Sequence, residues 1–167
     1  MKLIDGLLAE LEQEAETTRR VLERIPQAHL SWKPHPKSMS LGQLALHVAT
    51  VPGNVAELAA KDTIPEPPKF VQPEAAAASE LVPSLTESVA KAKRALGGFD
   101  DARMGAMWRL QSGGRDIMAM PRIAFVRAIM LNHWYHHRGQ LSVYLRELGV
   151  AVPSIYGPSA DENPFAQ

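Results

Sequence analysis

The stretch from Pro121 to Leu148 reads PRIAFVRAIMLNHWYHHRGQLSVYLREL. Placed on a helical wheel at about 100° per residue, it gathers Val126, Met130, His133, His137, Leu141, Tyr144 and Leu148 into one stripe. Pro121 suits a first helical residue, and Gly149 closes the segment. The spacing therefore predicts a long amphipathic helix with two histidines in the middle of its core face. Imidazoles four residues apart lie on the same helix face and can point at a common atom. Zinc proteases use this spacing with Glu directly after the first histidine; here that position is Trp134, which excludes their mechanism.

Working outward, three more helical patterns appear. Leu3, Leu7, Leu11, Ala15, Val21, Leu22 and Ile25 recur at helical spacing up to Pro26. Ser40 and Gln43 fit a capping box that opens a second helix running to about Ala60. Pro52 lies inside it and deletes the hydrogen bond to the Val48 carbonyl, so a kink is expected one turn beyond His47. Leu81, Leu85, Val89, Ala92 and Leu96 mark a third helix, from about Ser79 to Gly97-Gly98, with Pro83 in its first turn. Between helices two and three, the proline-rich stretch Ile64–Pro73 predicts an extended crossover long enough to run the length of a bundle. Met107–Leu110 and Ile117–Met120 flank Gly113-Gly114 and can pair as a short hairpin. The fold class expected is all-α, a four-helix bundle with a long crossover, forming one domain over residues 1–167.

Composition narrows the chemistry. Lys plus Arg and Asp plus Glu are 18 each, a balance that supplies no field for nucleic acid or an anionic membrane. No apolar run approaches a bilayer span and the N-terminus lacks an apolar core, so a cytoplasmic protein with no membrane partner is expected. The chain has no cysteine, which rules out disulfides, thiolate ligands and a cysteine nucleophile. Any metal must rest on His, Asp or Glu.

His47 shares a stripe of helix two with Leu44, Val51 and Leu58. Packing that face on the last helix brings a third imidazole toward His133 and His137. Three neutral imidazoles suit zinc, nickel, copper or ferrous iron and leave coordination positions open for water or substrate. The alternative is three satisfied core histidines, which would demand separate partners for several buried polar rings. Of the rest, His136 flanks the stripe as a partly exposed side chain, while His29 and His35 fall in the connector and read as surface residues. Gln140 lies near enough to orient a ligand, and Arg138 reads as a salt-bridge partner more readily than as an anchor for an anionic substrate. Gly139, on the far side of the helix with Tyr135 and Ser142, permits close approach of another element, either the C-terminal tail or, as the first expectation, a second copy of the chain.

The run His133-Trp-Tyr-His136-His137-Arg138-Gly139-Gln140-Leu141 resembles the H-x-x-H-H-R-G-Q signature of the DinB-like (damage-inducible) family of metal-binding bundles. Trp32–Leu44 followed by His47 is similar to that family's entry into helix two, and Val152–Ser159 to its tail. The resemblance implies a four-helix bundle with a long crossover, one divalent transition-metal ion on His47, His133 and His137 (zinc first, nickel or iron as alternatives), and a homodimer. The wider superfamily includes thiol-dependent S-transferases and maleylpyruvate isomerases that work with small thiols such as bacillithiol or mycothiol. It therefore implies either a metal-dependent thiol transferase or hydrolase, with a low-molecular-weight thiol or small electrophile as partner, or a non-catalytic stress-response metal-binding module. No catalytic residue can be assigned from the sequence.

Overall fold

The computed structural model describes residues 2–166. Helix α1 (Leu3–Leu22) buries Leu7, Leu11, Ala15, Val21 and Leu22 as its periodicity predicts, together with Ile4, Glu14 and Thr18, while Leu3 is exposed. Helix α2 (Leu41–Ala59) opens on the expected capping box: Gln43 N–H donates to Ser40 Oγ, and the Ser40 amide donates to the Gln43 side chain. After strand β1 (Thr63–Ile64) the crossover returns along the whole of α2, so that Ala75 N–H reaches the Gly42 carbonyl in the first turn of that helix. Helix α3 (Leu81–Leu96) then packs on α2 in the same sense, since Gly53 meets Ser88 and Glu57 meets Lys91.

A short helix α4 (Asp101–Gly105) leads to strands β2 (Met107–Ser112) and β3 (Arg115–Pro121). These pair as the expected antiparallel hairpin, with Trp108 opposite Met120 and Leu110 opposite Met118, and β1 adds in parallel beside β2. The all-α expectation is thereby corrected: the molecule is mostly helical but carries a three-stranded sheet in the order β1-β2-β3. The chain after α2 does not pass directly into another helix. Thr63-Ile64 instead takes up the free edge of the hairpin, and Arg109 N–H donates to the Asp62 carbonyl beside it.

The last helix is one rod in three parts: α5 (Arg122–Phe125), a π-helical segment (Val126–Asn132) and α6 (His133–Glu147). Pro121 ends β3 and caps this rod rather than starting it. The rod runs antiparallel to α2, since Ala59, Val48 and Met39 of one side meet Arg122, Trp134 and Tyr144 of the other. It runs parallel to α1, where Glu10 meets Arg127 and Glu14 meets Arg138.

The π segment changes which residues face the core. Its wider i→i+5 turns hold an extra residue, so the buried positions run Val126, Met130, Leu131, Trp134, Arg138, Leu141, Leu145. The uniform wheel put His133 and His137 in the centre of that stripe. They lie one position to its side, half-buried, on the flank that faces α2. Trp134 and Arg138 take the core positions, both almost wholly buried.

Candidate metal centre

Three imidazoles converge where α2 crosses α6. One ring nitrogen of each of His47, His133 and His137 lies within 4.8 Å of the others. The ring centroids are 4.5 Å apart for His47 and His137, 4.5 Å for His133 and His137, and 5.3 Å for His47 and His133. No other group of three His, Cys, Asp or Glu side chains among the described residues has ligand atoms so close.

The tautomers follow from the partners. His133 Nδ1 lies 3.3 Å from the Ile129 carbonyl, which can only accept, so the ring proton sits on Nδ1. His137 Nδ1 lies 2.7 Å from Oε1 of Gln140 and donates to it in the same way. Both Nε2 atoms are then left with lone pairs, and they face each other across 2.7 Å. His47 Nε2 is buried with no hydrogen-bond partner. Two facing ring nitrogens and a third that is buried without a partner form an arrangement that a cation completes, and an unsatisfied buried polar group costs about 1–3 kcal/mol. The donor set fits a divalent transition ion of the zinc, nickel or ferrous class.

The site keeps these rings neutral. Burial, followed by the neighbouring His137 and His133, pushes the pKa of His47 down to about 4. Burial also lowers His133 and His137. Neutral imidazole is the ligating form.

Two structural bonds hold α2 in register with the last helix beside the cluster. Trp134 Nε1 donates to the Val48 carbonyl at 2.7 Å. Val48 lacks the usual amide donor four residues on because that residue is Pro52. At the far end of α2, the buried Arg122 donates from Nε to the Ala59 carbonyl at 2.7 Å and also pairs with Asp62. A guanidinium there complements the negative end of the α2 dipole.

On the adjoining flank of α6, Arg138 forms a salt bridge with Glu14 of α1 at 2.6 Å, and the Tyr156 hydroxyl bridges the pair. Arg138 is therefore the salt-bridge residue expected from the sequence, but it lies in the core, directed at α1. His136, His29 and His35 are exposed, as expected, and stand apart from the three-histidine group. Gly139 is exposed, with no atom within 4 Å of where a Cβ would stand.

A cleft of about 330 Å³ opens beside His47, between α2 and the crossover. Gln43, Leu46, Thr50 and Asn54 form one wall, and Val71, Gln72 and Pro73 the other. No charged side chain lines it. Its lining was not legible from the sequence, since it depends on how the crossover lies back along α2.

The model of the DinB family matches residues 2–164. The chain is similar to the uncharacterized protein YrdA of Bacillus subtilis (strain 168), 26% identical over 95% of this chain and 91% of that one. Its fold is similar to a crystal structure of a DinB-like protein from Bacillus cereus ATCC 10987, with a TM-score of 0.70 and 25% identity, covering 92% of this chain and 97% of that one. A DinB-like protein of Bacillus subtilis, YjoA, shares the fold with a TM-score of 0.66 at 19% identity, over 95% of this chain and 99% of that one. Since the family model spans all but the ends of the sequence, the chain belongs to the DinB family.

Proposed function

We propose that the chain binds one divalent transition-metal ion, zinc in the first instance, through His47, His133 and His137, and that this ion serves a reaction of a small thiol or water with an electrophilic substrate. The observation that carries the reading is the meeting of three neutral imidazoles whose free nitrogens have no other hydrogen-bond partner than one another. When bound, such an ion supplies Lewis acidity and lowers the pKa of a coordinated thiol or water toward neutrality.

The residues of the chain contribute position and charge. Three neutral ligands leave the full charge of the ion uncompensated, which maximises its pull on an incoming nucleophile. Ile129 and Gln140 fix the rings from behind. The cleft beside His47 has the dimensions of a small-molecule site and a neutral polar and apolar lining. With no cysteine in the chain, a reacting thiol must come from a small molecule.

The test is thiol-dependent turnover of generic electrophiles by the zinc- or nickel-loaded protein, with His133→Ala as control. Turnover by the wild type and none by the variant supports the reading; equal rates contradict it. A second reading, a non-catalytic metal-binding module, draws on a different observation. Among the described residues, no carboxylate or hydroxyl hydrogen-bonds to any of the three imidazoles, so the site has no acidic group tied to its ligands. On that reading a chelator strongly lowers the melting temperature of a protein that turns over no substrate.

A further inference from the structure

Two irregularities flank the three-histidine site, one on each helix that supplies it. In α2 the irregularity is Pro52. In the last helix it is the π segment Val126–Asn132, which ends at His133. Both defects cost helix stability, and neither is needed to build a bundle. Each also acts on one main-chain carbonyl near the site. Pro52 has no N–H, so the Val48 carbonyl loses its helical donor. In a regular helix the Ile129 carbonyl would accept from the His133 amide, but that amide donates to the carbonyls of Ala128 and Met130 instead.

Both released carbonyls are used at the site. Val48 accepts the Trp134 indole N–H at 2.7 Å, and Ile129 lies 3.3 Å from Nδ1 of His133. His47 precedes Val48, and His133 precedes Trp134, so the bond between Val48 and Trp134 fixes the separation of the two helices one residue away from both ligands. The π turn has a second effect. Its extra residue moves Trp134 into the core stripe, where it can reach Val48, and turns His133 and His137 toward α2. The missing N–H of Pro52 and the π insertion thus act on the contact between Val48 and Trp134 from opposite sides.

We propose that Pro52, the π-helical segment and Trp134 are positioning devices for the three-histidine site: the two helix defects release the carbonyls of Val48 and Ile129, which then hold Trp134 and His133 in the geometry that brings the three imidazoles together. This inference rests on the metal-binding reading above. It is nevertheless open to a test that does not require metal to bind.

The chain provides a matched control. Trp108 is also buried and also donates its indole N–H to an α2 carbonyl, that of Leu58 at 3.0 Å, but Leu58 lies eleven positions along from His47. Cobalt(II) titration of the full chain reads the site through its ligand-field absorption. Trp134→Phe keeps aromatic bulk and loses the N–H; it is expected to weaken cobalt binding about tenfold or more and to alter the absorption. Trp108→Phe is expected to leave both unchanged. Pro52→Ala restores an amide donor to Val48 and is expected to weaken cobalt binding without lowering the melting temperature, a combination a purely structural role would not give.

The metal-free protein supplies an independent readout. Imidazole nitrogen spectra should show the Nδ1–H tautomer at His133, and ring contacts between His47 and His137 should weaken in Trp134→Phe and Pro52→Ala but persist in Trp108→Phe. Failure of the wild type to bind cobalt would overturn the metal reading alone, leaving positioning to be judged by these spectra. Cobalt binding in both Trp134→Phe and Pro52→Ala equal to that of the wild type, or ring contacts unchanged in both, would overturn the positioning inference. Should Trp134→Phe fail to fold, Pro52→Ala decides alone.

Discussion

Trp134 donates its indole N–H to the carbonyl of Val48 across 2.7 Å, joining the residue after one candidate ligand, His133, to the residue after another, His47. This bond is one of three along the same interface. Arg122 holds the Ala59 carbonyl at one end of α2, and the Tyr144 hydroxyl donates to the Met39 carbonyl just before its other end. The site therefore sits in the middle third of a contact fixed above and below it. Rigid elements pinned in this way keep ligands within the narrow tolerance a metal centre requires.

Gln140 is exposed, yet its side-chain oxygen lies 2.7 Å from Nδ1 of His137. Gln140→Ala removes the partner that sets the tautomer and ring orientation. Metal affinity should fall about 10–100-fold, with little change in the melting temperature of the metal-free protein. Competition with a chelating dye measures the first and calorimetry the second.

Arg138 and Glu14 form a buried ion pair, with side chains only 1% and 11% exposed. Arg138→Met strands the carboxylate and should cost about 3–5 kcal/mol in denaturant unfolding. Replacing both partners, Arg138→Met with Glu14→Leu, should recover most of that loss, because the desolvation of two charges disappears with them. Tyr156→Phe removes one bridging hydroxyl and should cost about 1–2 kcal/mol.

The pH dependence follows from His47. Its pKa is about 4 in the folded chain against an ordinary value of 6.5, so between those two values the unfolded chain binds more protons than the folded one. Stability of the metal-free protein should therefore fall as pH is lowered through 6.5 toward 4. His47→Gln should flatten that slope. Melting temperatures of both proteins across this range, in the presence of a chelator, check the sign.

Much of this was legible in the sequence. The four long helices, the capping box at Ser40, the hairpin about Gly113-Gly114 and the lengthwise crossover all follow from local chemistry: periodicity, side-chain hydrogen bonding and the conformational limits of proline and glycine. The convergence of His47, His133 and His137 was also readable, although the apolar-face packing that suggested it is not how the two later rings reach α2: they lie beside the buried stripe rather than in it. What escaped was the burial of Trp134 and Arg138. A wheel assumes equal turns, whereas the π segment adds a residue that shifts every later position on the helix. The pairing of Thr63-Ile64 with β2 was likewise hidden, since a two-residue strand has no periodicity to read.

Two glycines make opposite predictions. A Cβ on Gly53 would stand 2.8 Å from the Ser88 carbonyl oxygen, so Gly53→Ala should force α2 and α3 apart and cost about 1–3 kcal/mol. A Cβ on Gly139 would meet nothing within 4 Å, and Gly139→Ala should stabilise the monomeric fold by up to about 1 kcal/mol. If a second copy packs on that gap, the same substitution should instead weaken the dimer, which sedimentation at several concentrations will distinguish.

The most direct test is the metal stoichiometry of the purified full chain after incubation with zinc and removal of excess ion. One equivalent per chain in the wild type, and none in the folded His47→Ala, His133→Ala and His137→Ala variants, is the expected result. A wild-type chain that retains no zinc, nickel or iron, or variants that retain as much as the wild type, would contradict the assignment of these three histidines as a metal site.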